Sequence, residues 1–278
     1  MNLNEEEVER TKSLVKAGSE ITGPAMGATI GSLLGGPIGA AIGGASAQLL
    51  QRGIIEIGTD IAERFLSKRE KIRIGGVTIY AVDKILKKLD AGEMPRNDGF
   101  FEQPSTDHPA CAEIPLVERS PDKEVIERIL LAAQREHEEK KLPFLGNLLA
   151  NIFFDSTIDK AQINLMIKLC KSISYRQLCI LSIFAHTDNF KLREKDYDGM
   201  QEKLDFKEIS LLQEINNLRD QELLICGDDP HIELTDLNPS IMKLQGVGHL
   251  IYKLMELRSI DESDIKPIIL LLGPNNEV

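Results

Sequence analysis

Residues 21–50 read ITGPAMGATIGSLLGGPIGAAIGGASAQLL, and no charged residue lies between Glu20 and Arg52. Glycine recurs at every fourth position, at Gly23, Gly27, Gly31, Gly35, Gly39 and Gly43. A second row, Met26, Ile30, Leu34, Ile38 and Ile42, runs one position ahead of it. Each glycine inside a helix costs about 1 kcal/mol relative to alanine, so the row needs compensation. Residues four apart share a helix face, and a side-chain-poor ridge lets a second backbone approach closely. The stretch exceeds the roughly 20 residues of a membrane span. Against that, only nine of its residues are large and apolar, while eight are glycine and two are proline. Pro37 cannot donate its backbone hydrogen bond, so two short helices over 24–35 and 38–50 are an alternative to one rod. Three readings stand: a membrane-insertion segment, a glycine-faced helical pair in a soluble oligomer, or a flexible linker.

Outward from this stretch, residues 3–18 read as a short amphipathic helix with Glu5, Glu6, Glu7 and Glu9 near the positive end of its dipole. This charged, acidic beginning does not read as a cleavable signal peptide. On the other side, residues 51–90 read as one long or two consecutive helices, with Gly75-Gly76 as the joint. Eight basic residues lie between Arg64 and Lys88, opposed only by Glu70 and Asp83. The stretch reads either as a solvated helix face or, with Arg64, Lys68, Arg69, Lys71 and Arg73 as the lipid-facing basic set, as a flank attracted to anionic lipid beside an inserted segment.

Residues 92–121 are rich in proline and weakly periodic, which predicts a linker or surface strap. Residues 98–139 hold eleven acids against four bases, and this block is expected to fold back on the basic stretch. Ser120-Pro121 predicts a helix start, with the helix running to about Lys140 and Val125, Ile129, Leu130 and Ala133 inward. Leu142–Phe154 is strongly apolar. Ile158–Ile173 predicts a further helix with Ile163, Met166, Ile167 and Cys170 inward.

From Ser174 the pattern is that of a winged helix. A helix over YRQLCILSIFAH is followed by a short polar helix near 193–204. A helix over 206–223 places Ile209, Leu212, Ile215 and Leu218 inward. Two β-like runs then flank Gly227-Asp228-Asp229-Pro230, and a helix covers MKLQGVGHLIYKLMEL. The third helix carries Lys207 and Arg219 against Glu208, Glu214, Asp220 and Glu222, which argues for protein contact or a purely structural role rather than DNA reading. The apolar run Ile265 to Leu272 is expected to dock on a neighbouring helix.

The fold class predicted is mainly α, with an N-terminal glycine-repeat helical segment, long helices and a C-terminal helical bundle containing a winged-helix-like module. The divisions expected are 1–50, 51–91, 92–121 and 122–278, with the winged-helix-like part at 174–260.

The net charge of −11 is a poor basis for nucleic-acid binding, since phosphate contacts need Lys and Arg. Cys111, Cys170, Cys179 and Cys226 are widely spaced and read as free buried thiols in a reducing cytosol. The segment GSLLGGPIGA lacks the Gly-Lys-Ser/Thr ending of a phosphate loop. The histidines at 108, 137, 186, 231 and 249 are scattered. No catalytic, cofactor or metal site is expected, and no enzyme signal is present.

The Gly23–Gly43 repeat, KREKIRIGGVTIYAVDKILKKLDAG at 68–92, EEKKLPFLGNLLANIFFD at 138–155 and ISYRQLCILSIFA at 173–185 together resemble the bacterial abortive-infection alpha family, over roughly residues 20–190. After the asparagine motif the chain departs from that pattern with IDKAQINLMI. The resemblance implies a role in phage defence; it assigns no mechanism and no functional residues. The function expected is a non-enzymatic, abortive-infection-type protein, cytoplasmic or at the inner membrane. It would self-associate through its glycine repeat, contact inner-membrane lipid and respond to a protein trigger. The alternative is a soluble regulator or scaffold, antitoxin-like or adaptor-like, whose glycine segment packs in an oligomer core.

Overall fold

The computed structural model describes residues 53–54, 56–58, 60–61, 66–102, 119–198, 204–227 and 233–274. The glycine row, the expected helix at 3–18, Arg64 and Cys111 lie outside the described residues. The chain is mainly helical, as its sequence predicts, and it divides into two compact units with the boundary between Lys171 and Ser172.

In the first unit, α1 (Lys68–Asp90) starts at Ser67. The Ser67 hydroxyl oxygen accepts the Glu70 N–H at 3.3 Å, and Glu70 Oε2 accepts the Ser67 N–H at 2.8 Å. This reciprocal box satisfies two donors that a helix start otherwise leaves open. The expected joint at Gly75-Gly76 is absent: α1 runs unbroken through both glycines. Burial of Ile74, Val77, Ala81, Val82 and Ile85 explains this. Each buried Ile or Val side chain contributes about 1.5–3 kcal/mol, and together they exceed the helix penalty of two glycines.

α2 (Pro121–Arg135) buries Val125, Ile126, Ile129, Leu130 and Ala133. Ser120 occupies the cap position without a side-chain cap bond. The helix stops at Arg135, short of the expected Lys140, because Glu136 turns extended. That turn lets the Glu136 carboxylate reach Lys141 Nζ at 2.5 Å, with the lysine side chain only 2 % exposed. A buried ammonium without a partner would cost several kcal/mol, so the pair fixes the reversal between helices.

α3 (Leu142–Ile152) follows and packs mainly on α1. Its Gly146 lies against α1 so closely that a Cβ there would stand 2.5 Å from Tyr80 Cβ and 3.3 Å from the Val77 carbonyl oxygen. The loop after α1 is held by Arg96, whose side chain is 3 % exposed. Its guanidinium donates to Asp98, to the Ile152 carbonyl at the end of α3 and to the Ile158 carbonyl, and lies 4.2 Å over the Phe100 ring. A cation at a helix C-terminus also meets the negative end of the dipole. α4 (Lys160–Ser172) buries Ile163, Met166, Ile167 and Cys170, the four residues its periodicity predicts.

In the second unit, α5 (Tyr175–Phe184) opens with a Ser174–Gln177 capping box and is buried from Gln177 to Phe184. Residues 193–198, expected as part of a polar helix, are not helical, and a short 3-10 turn stands earlier, at Thr187–Asn189. α6 (Phe206–Asp220) buries Leu211, Leu212, Ile215 and Leu218, so Leu211 takes the inward place expected of Ile209.

The hairpin also differs from expectation. β1 (Leu224–Cys226) pairs antiparallel with β2 (Met242–Leu244), not with residues just after Pro230. Residues 234–236 form a 3-10 turn instead. Leu224 and Cys226 face Leu244 and Met242 inward, while Ile225 and Lys243 face outward. Burying four side chains on one face fixes that register. α7 (Val247–Leu254) therefore starts after β2, at Gly246, whose φ of 49° suits glycine. α8 (Glu262–Leu272) buries Ile265, Ile268 and Leu272 and packs on α5, as its apolar run predicts.

The α1–α3 crossing makes a paired prediction. Gly146→Ala should lower stability by about 1–3 kcal/mol in urea unfolding followed by circular dichroism. Gly76→Ala, where an added Cβ meets nothing within 4 Å, should be neutral or stabilising by up to about 1 kcal/mol. Equal losses at both positions would contradict the packing described.

Candidate functional site

The basic stretch is the surface that the sequence singles out, and α1 separates its members. Lys68 and Arg69 are exposed in the first turn and Lys71 is half-buried. Arg69 Nε meets Glu139 at 3.1 Å. Arg73 turns inward: it is buried and donates from Nη1 to the Gln134 carbonyl at 3.3 Å. At the far end of α1, Lys87 pairs with Asp83 at 3.2 Å. Lys88 pairs with Glu93 at 2.7 Å and lies 5.1 Å over the Phe154 ring. The cationic face is thus concentrated at the first turn of α1, the turn nearest in sequence to the glycine row.

Glu70 lies among these cations. Its carboxylate accepts from the Ser67 hydroxyl at 2.6 Å and from Gln134 Nε2 at 2.9 Å. Those hydrogen bonds, Ser67 first, lower its pKa to about 2. The acidic block 98–139 meets the basic stretch at this place, through Glu139. Four other carboxylates of the block are engaged elsewhere: Asp98 with Arg96, Glu124 with Lys160, Glu127 with Arg119 and Glu136 with Lys141.

The described cysteines are buried. Burial pushes the Cys170 thiol up to about 12, which keeps it protonated at neutral pH. Cys179 and Cys226 are likewise buried and form no disulfide. His186 Nε2 and the Tyr252 hydroxyl lie 2.6 Å apart on the surface of the second unit. Among the described residues no group of His, Cys, Asp and Glu is placed to hold a metal ion.

Two acids of α6 are engaged within the second unit. Glu208 closes the Asp205 capping box, and Glu214 binds the Arg176 guanidinium. Among the described residues, no helix is long and apolar enough to cross a membrane.

Of three local features in the first unit, two escape sequence reading. The Ser67-Lys68-Arg69-Glu70 box was legible, since Ser-x-x-Glu before an apolar run is its signature. The Arg96 anchor and the Gly146 contact carry no local signal, because both depend on where α3 ends and lies. No protein-family model, no curated protein and no solved structure matches the chain.

The carboxyl titration of Glu70 checks this electrostatic picture. Its folded pKa lies below the ordinary value, so its contribution to stability is complete above about pH 4.5 and is lost as pH falls towards about 2. Carbon-detected NMR should place its midpoint near 2, and Ser67→Ala should raise it. A midpoint at the ordinary value of 4.5 would contradict the hydrogen-bonded box.

Proposed function

We propose that the chain is a non-enzymatic defence protein of the abortive-infection type, whose glycine repeat associates with other copies of itself at the inner membrane and compromises that membrane. One observation carries the reading: an uncharged row of six glycines at four-residue spacing precedes a folded helical body. The exposed Lys68 and Arg69 at the start of α1 add attraction to anionic lipid, about 1 kcal/mol for each basic residue near the surface. The helical body serves as the sensing and partner-binding part. Its second unit is read as a winged-helix-like protein-contact module, in which α6 and the β1–β2 hairpin present a surface that is not basic enough for DNA.

A second reading is favoured by the inward turn of Arg73 and the Arg69–Glu139 pair. Both direct basic residues towards the protein itself. In that reading the chain is a soluble regulator or scaffold of antitoxin or adaptor kind, and the glycine row packs in an oligomer core.

Gly31→Leu combined with Gly35→Leu separates function from folding. The double variant should lose growth arrest in cells and reduce liposome leakage by about tenfold or more, with unchanged circular dichroism of the helical body. Wild-type protein that stays wholly in the soluble fraction during induction, with no leakage from liposomes, would overturn the membrane reading. A shift from oligomer to monomer in that double variant would then support the scaffold.

A further inference from the structure

The first unit carries a second basic surface, on α2 and α4, that the glycine row and α1 do not explain. α4 has Lys160, Lys168 and Lys171 and no acidic residue, in a chain of net charge −11. Asn164, Lys168 and Lys171 stand at i, i+4 and i+7, one row on a single helix face. Arg128 and Leu131 stand at i and i+3 on the facing side of α2. Between them runs a groove of about 440 Å³, lined by Arg128, Leu131, Asn164, Leu165, Lys168 and Lys171.

The lining has three cations and no carboxylate. The acids closest in sequence to Arg128 are held elsewhere, Glu124 by Lys160 at 2.7 Å and Glu127 by Arg119 at 2.7 Å. Arg128 donates to the Asn164 side-chain oxygen, which bridges the two helices across the groove. Leu165, 44 % exposed, and Leu131 add apolar surface beside the cations.

We infer that this groove is a docking site for an acidic amphipathic helix of a partner protein. The spacing selects that occupant. Lys168 and Lys171 lie about one helical turn apart, and with Asn164 the row extends over about 10 Å. A row of this kind matches carboxylates repeating at three- or four-residue intervals along a helix. A single phosphate is bound instead by donors converging on one point. The apolar floor takes the partner's leucine-type side chains, and the charge complementarity steers the encounter. The inference is independent of the membrane reading, since no residue of the groove belongs to the glycine row or to α1.

Fluorescence anisotropy with the full chain tests it. The probe is a labelled synthetic helical peptide of about 14 residues, with Glu and Leu at i, i+4 spacing. It should bind, and binding should weaken by about tenfold for Lys168→Glu and further for the Lys168→Glu/Lys171→Glu pair. Both lysines are exposed, so these variants should fold, and circular dichroism checks that they do. Leu165→Ser should also weaken binding, whereas Lys266→Glu, the same charge change on exposed α8, should leave it intact. A peptide with Gln in place of Glu should bind about tenfold more weakly or not at all. Peptide binding that ignores the Lys168 and Lys171 changes, or no binding, overturns the inference. Equal, variant-sensitive binding to phosphatidylglycerol vesicles also overturns it, by showing an anionic-surface site without helix selectivity.

Discussion

The first unit depends on backbone contact between α1 and α3 at Gly146. A side chain there would collide with Tyr80 Cβ, so the two axes approach more closely than Leu-on-Leu packing allows. Leu145, Leu148 and Leu149 of α3 and Val77, Ala81 and Val82 of α1 are all buried, and the two helices pack on each other. The glycine pair within α1 then survives as helix, because tertiary burial outweighs local propensity. The end of α3 is in turn the point that Arg96 grips, so the loop after α1 is fixed by where α3 stops. Glycine at 146 therefore has consequences from Ser67 to Ile158.

Charge is organised with the same economy of placement. The chain carries a net charge of −11, and several of its described carboxylates have structural partners. Glu70 closes a cap, Glu136 neutralises a buried lysine, and Asp98 orients Arg96. Exposed pairs such as Arg69–Glu139 contribute at most about 1 kcal/mol. The buried Lys141–Glu136 pair matters differently, since removal of either partner would strand a charge away from water. In the first unit, exposed cations stand in the first turn of α1, at Lys68 and Arg69, and beside the α2–α4 groove, at Lys168 and Lys171.

Much of the helical framework was legible in the sequence. Burial in α4 falls on Ile163, Met166, Ile167 and Cys170 because a 3.6-residue period leaves no alternative face. The caps at Ser67, Ser174 and Asp205 follow from Ser or Asp three residues before Glu or Gln. The second strand of the hairpin is hidden in the sequence, because Met242-Lys243-Leu244 is short and runs directly into the apolar α7. Its partner strand lies across a long loop, and pairing at that distance leaves no local trace. Helix α2 ends early for a related reason: the Glu136–Lys141 pair is decided by burial, not by propensity. Of the candidate surfaces, α1's basic residues were visible as composition, but the inward turn of Arg73 was not. The α2–α4 groove needed both helices in place before its residues shared a side.

Amide hydrogen exchange on the full chain tests most directly whether the α1–α3 contact organises the first unit. Residues 77–82 and 144–150 should show the slowest exchange in that unit and should open together, with matching free energies of opening. Exchange in α1 that is fast, or that opens independently of α3, would contradict the account.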